Sequence, residues 1–290
     1  MENILEIKNL RKEYPEFVLD RVSLSLPRGT IMGLIGPNGA GKTTTIKLIL
    51  NHIRADGGEV TIFGLDHRRD EKEIKNRIGY VGEEQYFYDY RSASWTGKFV
   101  SHFFERWEQG TFERLLEEFR IPTKTAIKKL SKGERVKLAL AVALSHDPEL
   151  IILDEPTAGL DPVIRRDVID FLQDFAASGE KSVLISSHIT DDVSRIAETI
   201  AYMINGRIAL VAPKDELLSN WKKIHFKKGS LNGRVLASLH HVEDHMFGRS
   251  GLIRNYPEVK DALEPFAEGG DVRVEPIGLD DILIALVKEY

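Results

Sequence analysis

Nine consecutive residues, Gly36-Pro37-Asn38-Gly39-Ala40-Gly41-Lys42-Thr43-Thr44, carry the most specific chemistry in the chain. They match G-x-x-x-x-G-K-[ST], a loop pattern that cradles phosphate groups. A polyphosphate needs several donors converging on a small volume. Gly36, Gly39 and Gly41 let successive backbone N–H groups turn inward with no Cβ in the way. Lys42 is then placed to reach the outer phosphates, the Thr43 hydroxyl to bind Mg²⁺, and Thr44 to donate to a further phosphate oxygen. A second set of candidates lies downstream. The apolar run Leu150-Ile151-Ile152-Leu153 ends in Asp154-Glu155. Two carboxylates at the C-terminal end of a buried strand suggest metal and water handling. His188 closes the run from Lys181 to Ser187 and is the third candidate in that layer.

Positioning these groups takes a sheet and its helices. Thr30 to Ile35 reads as a buried strand and Thr44 to Leu50 as a helix, which is the context the glycine-rich loop requires. Ile4 to Leu10 alternates like an edge strand, and Phe17 to Leu26 predicts another strand, stopped by Pro27-Arg28-Gly29. Tyr14 lies upstream of the loop, where its ring can stack on a base; on spacing alone a half-buried strand tyrosine weighs about the same. Asp56-Gly57-Gly58 reads as a turn, and Ile78 to Val81 as a strand running into the polar loop Gly82 to Gln85. Trp95, Phe99, Phe103 and Trp107 recur every fourth residue, which predicts a helix with an aromatic face. Thr111 to Phe119 predicts a second helix. Together these suspend the strand–helix alternation and mark a helical subdomain over about 86–145. Ser131 and Glu134 form S-x-x-E, a capping box that explains both residues without any function. Asp161-Pro162 is a matched N-cap and first-turn pair, and Asn205-Gly206 predicts a hairpin.

The chain has 290 residues, enough for one large domain and an appendage from about Lys222, with a final helix over Leu279 to Val287. Forty basic against 45 acidic residues leave a net charge of −5, so nucleic acid is not expected as a partner. The absence of cysteine excludes disulfides and thiolate chemistry. The N-terminus does not read as a secretory signal, and no run of about twenty apolar residues occurs, so a soluble, intracellular protein is expected. His240, His241 and His245 lack matching ligand spacing and read as solvated.

As a set, and over roughly Leu5 to Val211, the motifs resemble the ATP-binding subunit of an ABC transporter, closest in pattern to bacitracin-resistance exporters. In that family a P-loop, a Q-loop, a helical subdomain, a Leu-Ser-Gly-Gly signature, an Asp-Glu strand, a D-loop and a switch histidine follow one another. Here they look like Gly36 to Thr44, Glu83 to Gln85, the aromatic helices, Leu130 to Glu134, Leu153 to Glu155, Ala158 to Asp161, and His188. The resemblance implies an α/β fold: a P-loop NTPase cassette with RecA-like core, antiparallel β subdomain and helical subdomain over 1–221, plus a small α+β appendage over 222–290. It implies Lys42, Glu155 and His188 as catalytic groups. Thr43, Asp154 and Glu83 would hold Mg²⁺. ATP would contact Tyr14, the loop from Gly36 to Thr44, and Glu83, with Ser131, Lys132, Gly133 and Asp161 acting across a dimer. The implied partners are a second ABC ATPase subunit, identical or not, and a polytopic membrane permease that holds the chain on the inner face of the membrane. Two positions depart from the family pattern: Glu83 stands where a glutamine is usual, and Lys132 where the signature has its first glycine. The competing reading is a soluble ABC-type ATPase acting on nucleic acid or ribosomes.

Overall fold

Apolar alternation lays down an antiparallel sheet first. In the computed structural model, which describes residues 2–231, 233–246 and 248–290, β1 (Asn3–Tyr14) pairs with β2 (Phe17–Pro27) in a hairpin. The chain then enters β3 (Ile31–Ile35), the glycine-rich loop and α1 (Lys42–Ile49). β4 (Gly57–Ile62) and β5 (Leu65–Asp66) complete the first sheet in the order β2-β1-β4-β5. β1 is therefore an interior strand and not the edge its alternation suggested. Leu5 faces Leu26 on one side and Ile62 on the other, and both neighbours are contributed by distant residues. Gly57 and Gly58 likewise belong to β4, which the dipeptide alone disguised as a turn.

After α2 (Glu71–Lys75) and β6 (Ile78–Val81) come α3 (Ala93–Val100), α4 (Gln109–Glu118) and α5 (Lys132–Leu144). α3 stops at Val100 and passes through a single 3₁₀ turn, so the fourfold aromatic spacing outruns the helix. Trp107 lies beyond it and packs on Phe112 of α4 at 5.3 Å. β7 (Leu150–Asp154), α6 (Pro162–Ala176), β8 (Ser182–Ser187), α7 (Thr190–Ile196), β9 (Thr199–Ile204) and β10 (Arg207–Pro213) follow. Asn205 and Gly206 both have positive φ, +48° and +77°, as the favoured two-residue hairpin turn requires.

The second sheet has the order β10-β9-β3-β8-β7-β6, and β3 pairs in parallel with both β8 and β9. Every residue of β3, β7 and β8 is buried, as expected of parallel strands covered on both faces. Register brings the functional ends together: Ile35 is level with Ser187, and Asp154 with Ser186. Ligands bind beyond the carboxyl ends of such strands. At the opposite end of the sheet Glu149 accepts hydrogen bonds from Arg77 at 2.7 and 3.2 Å and from Arg28 at 2.9 Å.

The contacts divide the chain into two compact units, up to Val211 and from Ala212 onward. The second unit holds α8 (Lys214–Asn220), β11 (Lys222–Phe226), α9 (Gly233–Ala237), β12 (His240–His245), β13 (Gly248–Ile253), α10 (Tyr256–Glu268), β14 (Val272–Pro276) and α11 (Leu279–Val287). Its junction falls ahead of the expected position at 221 because α8 packs against α10. A sheet of order β12-β13-β11-β14 encloses a core of Ile224, Phe226, Val235, Ile253, Leu263 and Val272. His240 and His241 lie 3.8 and 3.3 Å from Glu289, and His245 meets the Ser250 hydroxyl at 2.7 Å. Among the described residues no helix is long and apolar enough to cross a membrane.

The Arg77 and Arg28 guanidiniums hold Glu149 down to about 2 from its ordinary 4.5, against the upward push of burial. A depressed folded value means stabilisation that is complete above the unfolded value and lost as pH falls toward the folded one. Glu149→Gln is therefore expected to cost about 2 kcal/mol at pH 7. Its deficit against the parent should shrink between pH 4.5 and about 2. Denaturant melts at pH 7 and at low pH check this; a deficit independent of pH contradicts it.

Candidate active site

The glycine-rich loop turns back on itself through Gly39 and Gly41, with φ of +80° and +109°. A Cβ on Gly36 would lie 2.2 Å from the Met203 carbonyl oxygen, so glycine is required there by close backbone approach. α1 begins at Lys42 with Gly41 as its N-cap and no side chain capping it. The N–H groups of its first turn remain available to an anion, which the helix dipole also favours.

Lys42 is buried, and its Nζ donates to the Gly36 and Pro37 carbonyls at 2.8 and 3.3 Å. The same Nζ is 3.2 Å from Oε1 of Glu155. Asp154 and Glu155 are 1% and 7% exposed. Asp154 Oδ1 accepts from the Ser186 hydroxyl at 2.6 Å and from the Thr43 hydroxyl at 3.2 Å. Glu155 has a φ of +50°, a left-handed conformation uncommon for a non-glycine residue. Its N–H donates to the Ser186 carbonyl at 3.1 Å and hydroxyl at 3.2 Å. Its Oε2 meets His188 Nδ1 at 2.8 Å and accepts from the His188 N–H at 3.3 Å. Lys42, Glu155 and His188 thus form one continuous chain of charge-assisted contacts, with Thr43 and Asp154 beside it. Burial, then the charge of Asp154, pushes the nearby Tyr80 phenol up to about 12.

A cleft of about 700 Å³ opens over these groups, lined by Asn38 to Thr44, Glu83, Glu155 and His188. Phe17 and Glu16 close one side. The aromatic wall is Phe17 and not Tyr14, which is not among the lining residues and carries Lys12 over its ring at 5.6 Å. Spacing could not choose between two aromatic residues on either side of a hairpin turn. Ser186 was also missed: only the parallel register of β7 and β8 reveals it. Gln85 turns away, donating to the carbonyls of Gly82 and Glu83 at 2.9 and 3.2 Å.

Ser131, Lys132, Gly133 and Asp161 do not line this cleft. Ser131 caps α5: its hydroxyl accepts from Glu134 N–H at 3.2 Å, and its N–H donates to the Glu134 carboxylate at 2.7 Å. Lys132 shares a second cleft of about 490 Å³ with Glu83, so both departures from the family pattern face one space. The Lys132 ammonium sits against Gly159, 2.9 Å from where a Cβ would be. Asp161 Oδ1 caps α6, accepting from Val163 and Ile164 N–H groups at 3.1 Å.

Residues 19–158 match the family model described as "ABC transporter". The chain is 31% identical over 262 residues to the bacitracin transport ATP-binding protein BcrA of Bacillus licheniformis, covering 88% of this chain and 86% of that protein. It is 34% identical over 210 residues to the lantibiotic transport ATP-binding protein SrtF of Streptococcus pyogenes, covering 71% and 90%. Among solved structures, the ATP-binding subunit of an ABC transporter superposes with a TM-score of 0.68 at 26% identity, covering 74% of this chain and 92% of that one. An ATP-binding cassette of an ABC transporter in its ADP conformation gives 0.65 at 26%, covering 76% and 94%.

The loop geometry separates two glycines. Gly36→Ala must displace backbone and is expected to cost about 1–3 kcal/mol. Gly39→Ala meets no atom within 4 Å and bears only its positive φ, costing about 1–2 kcal/mol. In chemical denaturation Gly36→Ala should be the more damaging; the reverse order contradicts this account.

Proposed function

This chain belongs to the ABC transporter family as an ATP-binding subunit that hydrolyses ATP; we propose that Lys42, Thr43, Asp154, Glu155 and His188 form its hydrolytic centre, and that two cassettes close on two ATP molecules to drive an exporter. The observation that carries this reading is the contact chain Lys42–Glu155–His188 under the glycine-rich loop, at 3.2 and 2.8 Å.

The loop amides and the start of α1 bind the phosphates. Lys42 exchanges its carbonyl partners for phosphate oxygens and stabilises charge on the transferred phosphoryl group. That exchange loosens its hold on Glu155, which then orients the attacking water and takes its proton. His188 keeps Glu155 in place and contacts the γ-phosphate. Ser131, with Lys132, Gly133 and the N-terminus of α5, closes over the ATP of the facing cassette, and Asp161 sits at the same junction. The Thr43 hydroxyl and the Asp154 carboxylate are hard oxygen donors that meet at 3.2 Å. This suits Mg²⁺, which takes one or two protein ligands and keeps its waters. Glu83 is the further oxygen donor. When bound, the ion neutralises charge on the β- and γ-phosphates.

The export role rests on likeness to proteins named for bacitracin and lantibiotic transport. The permease would dock on the exposed aromatic surface beside the loop. Trp95 and Phe99 stack at 5.0 Å with Tyr88 edge-on to both, while Tyr86, Tyr90 and Phe103 are largely exposed. Such apolar surface rimmed by charge suits a partner helix, which would hold the chain at the membrane. A chromosome or repair role is disfavoured, since α3 and α4 have eight and ten residues where a long coiled coil would be needed, and a ribosome role because such members carry two cassettes in one chain and one phosphate-binding loop occurs here.

Glu155→Gln is expected to bind ATP, to lose about 100-fold or more in turnover, and to accumulate a dimer in ATP and Mg²⁺. Size-exclusion chromatography reads this out; a variant that stays monomeric contradicts the two-cassette model. Glu83→Gln is expected to raise the Mg²⁺ concentration needed for half-maximal turnover, because an anionic oxygen ligand is lost. Unchanged rate and unchanged metal titration would remove Glu83 from the site.

A further inference from the structure

Asp192 is a buried carboxylate that the proposed hydrolysis does not use. It lies on α7, just past His188, and is 3% exposed. Its Oδ2 accepts from the Thr157 hydroxyl at 2.7 Å, and its Oδ1 from Arg165 Nε at 2.5 Å. Thr157 follows Glu155 by two residues and is itself buried. The backbone between them is a tight turn, with Ala158 N–H donating to the Glu155 carbonyl and Leu160 N–H to the Thr157 carbonyl, both at 3.2 Å. Arg165 belongs to the first turns of α6, and its N–H donates to the carbonyl of the cap residue Asp161 at 3.0 Å.

One carboxylate therefore ties together three segments. They are the stretch that carries Glu155, the helix that Asp161 opens, and the helix that follows His188. A charge this deep is tolerated only when its oxygens are satisfied. Stability alone gives no reason to keep it, because apolar packing of equal volume serves as well or better. What apolar packing does not supply is direction. A carboxylate with one hydroxyl and one guanidinium fixes both partners at hydrogen-bond tolerance, and the site next to it depends on geometry at that scale.

We propose that Asp192 is a positioning residue for hydrolysis, setting Glu155 and the Ala158–Asp161 turn against His188 through Thr157 and Arg165. This rests on the reading of Glu155 as the group that handles water. None of the three residues lines the cleft over the nucleotide-binding loop, so binding and turnover should separate.

The test is steady-state ATPase kinetics on the full chain, with its permease where turnover requires it, at a temperature well below the lowest melting point of the variants. Asp192→Asn and Arg165→Gln are each expected to lower kcat about tenfold or more, with KM for ATP within about twofold of the parent. The double variant should be no worse than the weaker single one, as expected of residues that act as a unit. Thr157→Val keeps the volume and removes only the hydroxyl; it should show the same split and is decisive if Asp192→Asn does not fold. Full kcat in the folded variants, or additive losses in the double variant, overturns the proposal. Glu155→Gln runs alongside: if it is inactive while the others are not, only the positioning role fails. If Glu155→Gln turns over like the parent, the site reading fails and this inference with it.

Discussion

Two carboxylates have to be kept charged and almost dry at the end of a buried strand. Asp154 and Glu155 are 1% and 7% exposed, and leaving either without a partner would cost several kcal/mol. Most of the cassette's local structure answers that demand. Lys42 is delivered by the glycine-rich loop, His188 by the end of β8, and the Ser186 hydroxyl by the register of β8 against β7. Even the left-handed backbone at Glu155 is held by two hydrogen bonds to Ser186. Removing any of these elements costs a buried carboxylate one of its partners, so the arrangement of the parallel sheet and the composition of the site are one problem with one solution. A phosphate-binding loop that needs a cation and a buried Glu155 that needs a counter-charge meet each other's requirement through the same ammonium, while the Ser186 and Thr43 hydroxyls serve Asp154.

The two departures from the family pattern have a common setting. Glu83 and Lys132 line one cleft, with Arg135 and Asp89 paired at 3.2 Å on its rim. An uncharged glutamine and a glycine have been exchanged for residues of opposite sign that share a space. Coulomb attraction across a solvated cleft is moderate and screened by salt. The exchange therefore keeps the local charge balanced while making the region sensitive to salt. Lys132 also lies over Gly159, where no side chain stands in its way.

Much of this was legible in the residues, and the failures share a cause. The glycine-rich loop, the Asp161-Pro162 helix start, the Asn205-Gly206 turn and the helix Leu279–Val287 are all local: a few adjacent residues carry both the signal and its physical reason. The misreadings concern partners distant in sequence. β1 alternates like an edge strand because alternation reports which face is wet and is silent about how many neighbours the strand has. Trp107 keeps the helical rhythm after the helix has ended because Phe112 offers it a packing site. Phe17, Ser186 and Asp192 owe their positions to loop closure or strand register and have no local signature.

The capping box at the start of α5 has an outcome beyond helix stability. Ser131 uses its oxygen to accept from Glu134, and its backbone N–H is spent on the Glu134 carboxylate. The hydroxyl keeps its own hydrogen to donate and a second lone pair with which to accept. Whatever docks there meets a hydroxyl that can both give and take a hydrogen bond, at a helix start whose partial positive charge favours an anion. The cap thus leaves Ser131 open to donors and acceptors alike, and any preference for the sign of a visitor comes from the dipole of the helix it starts.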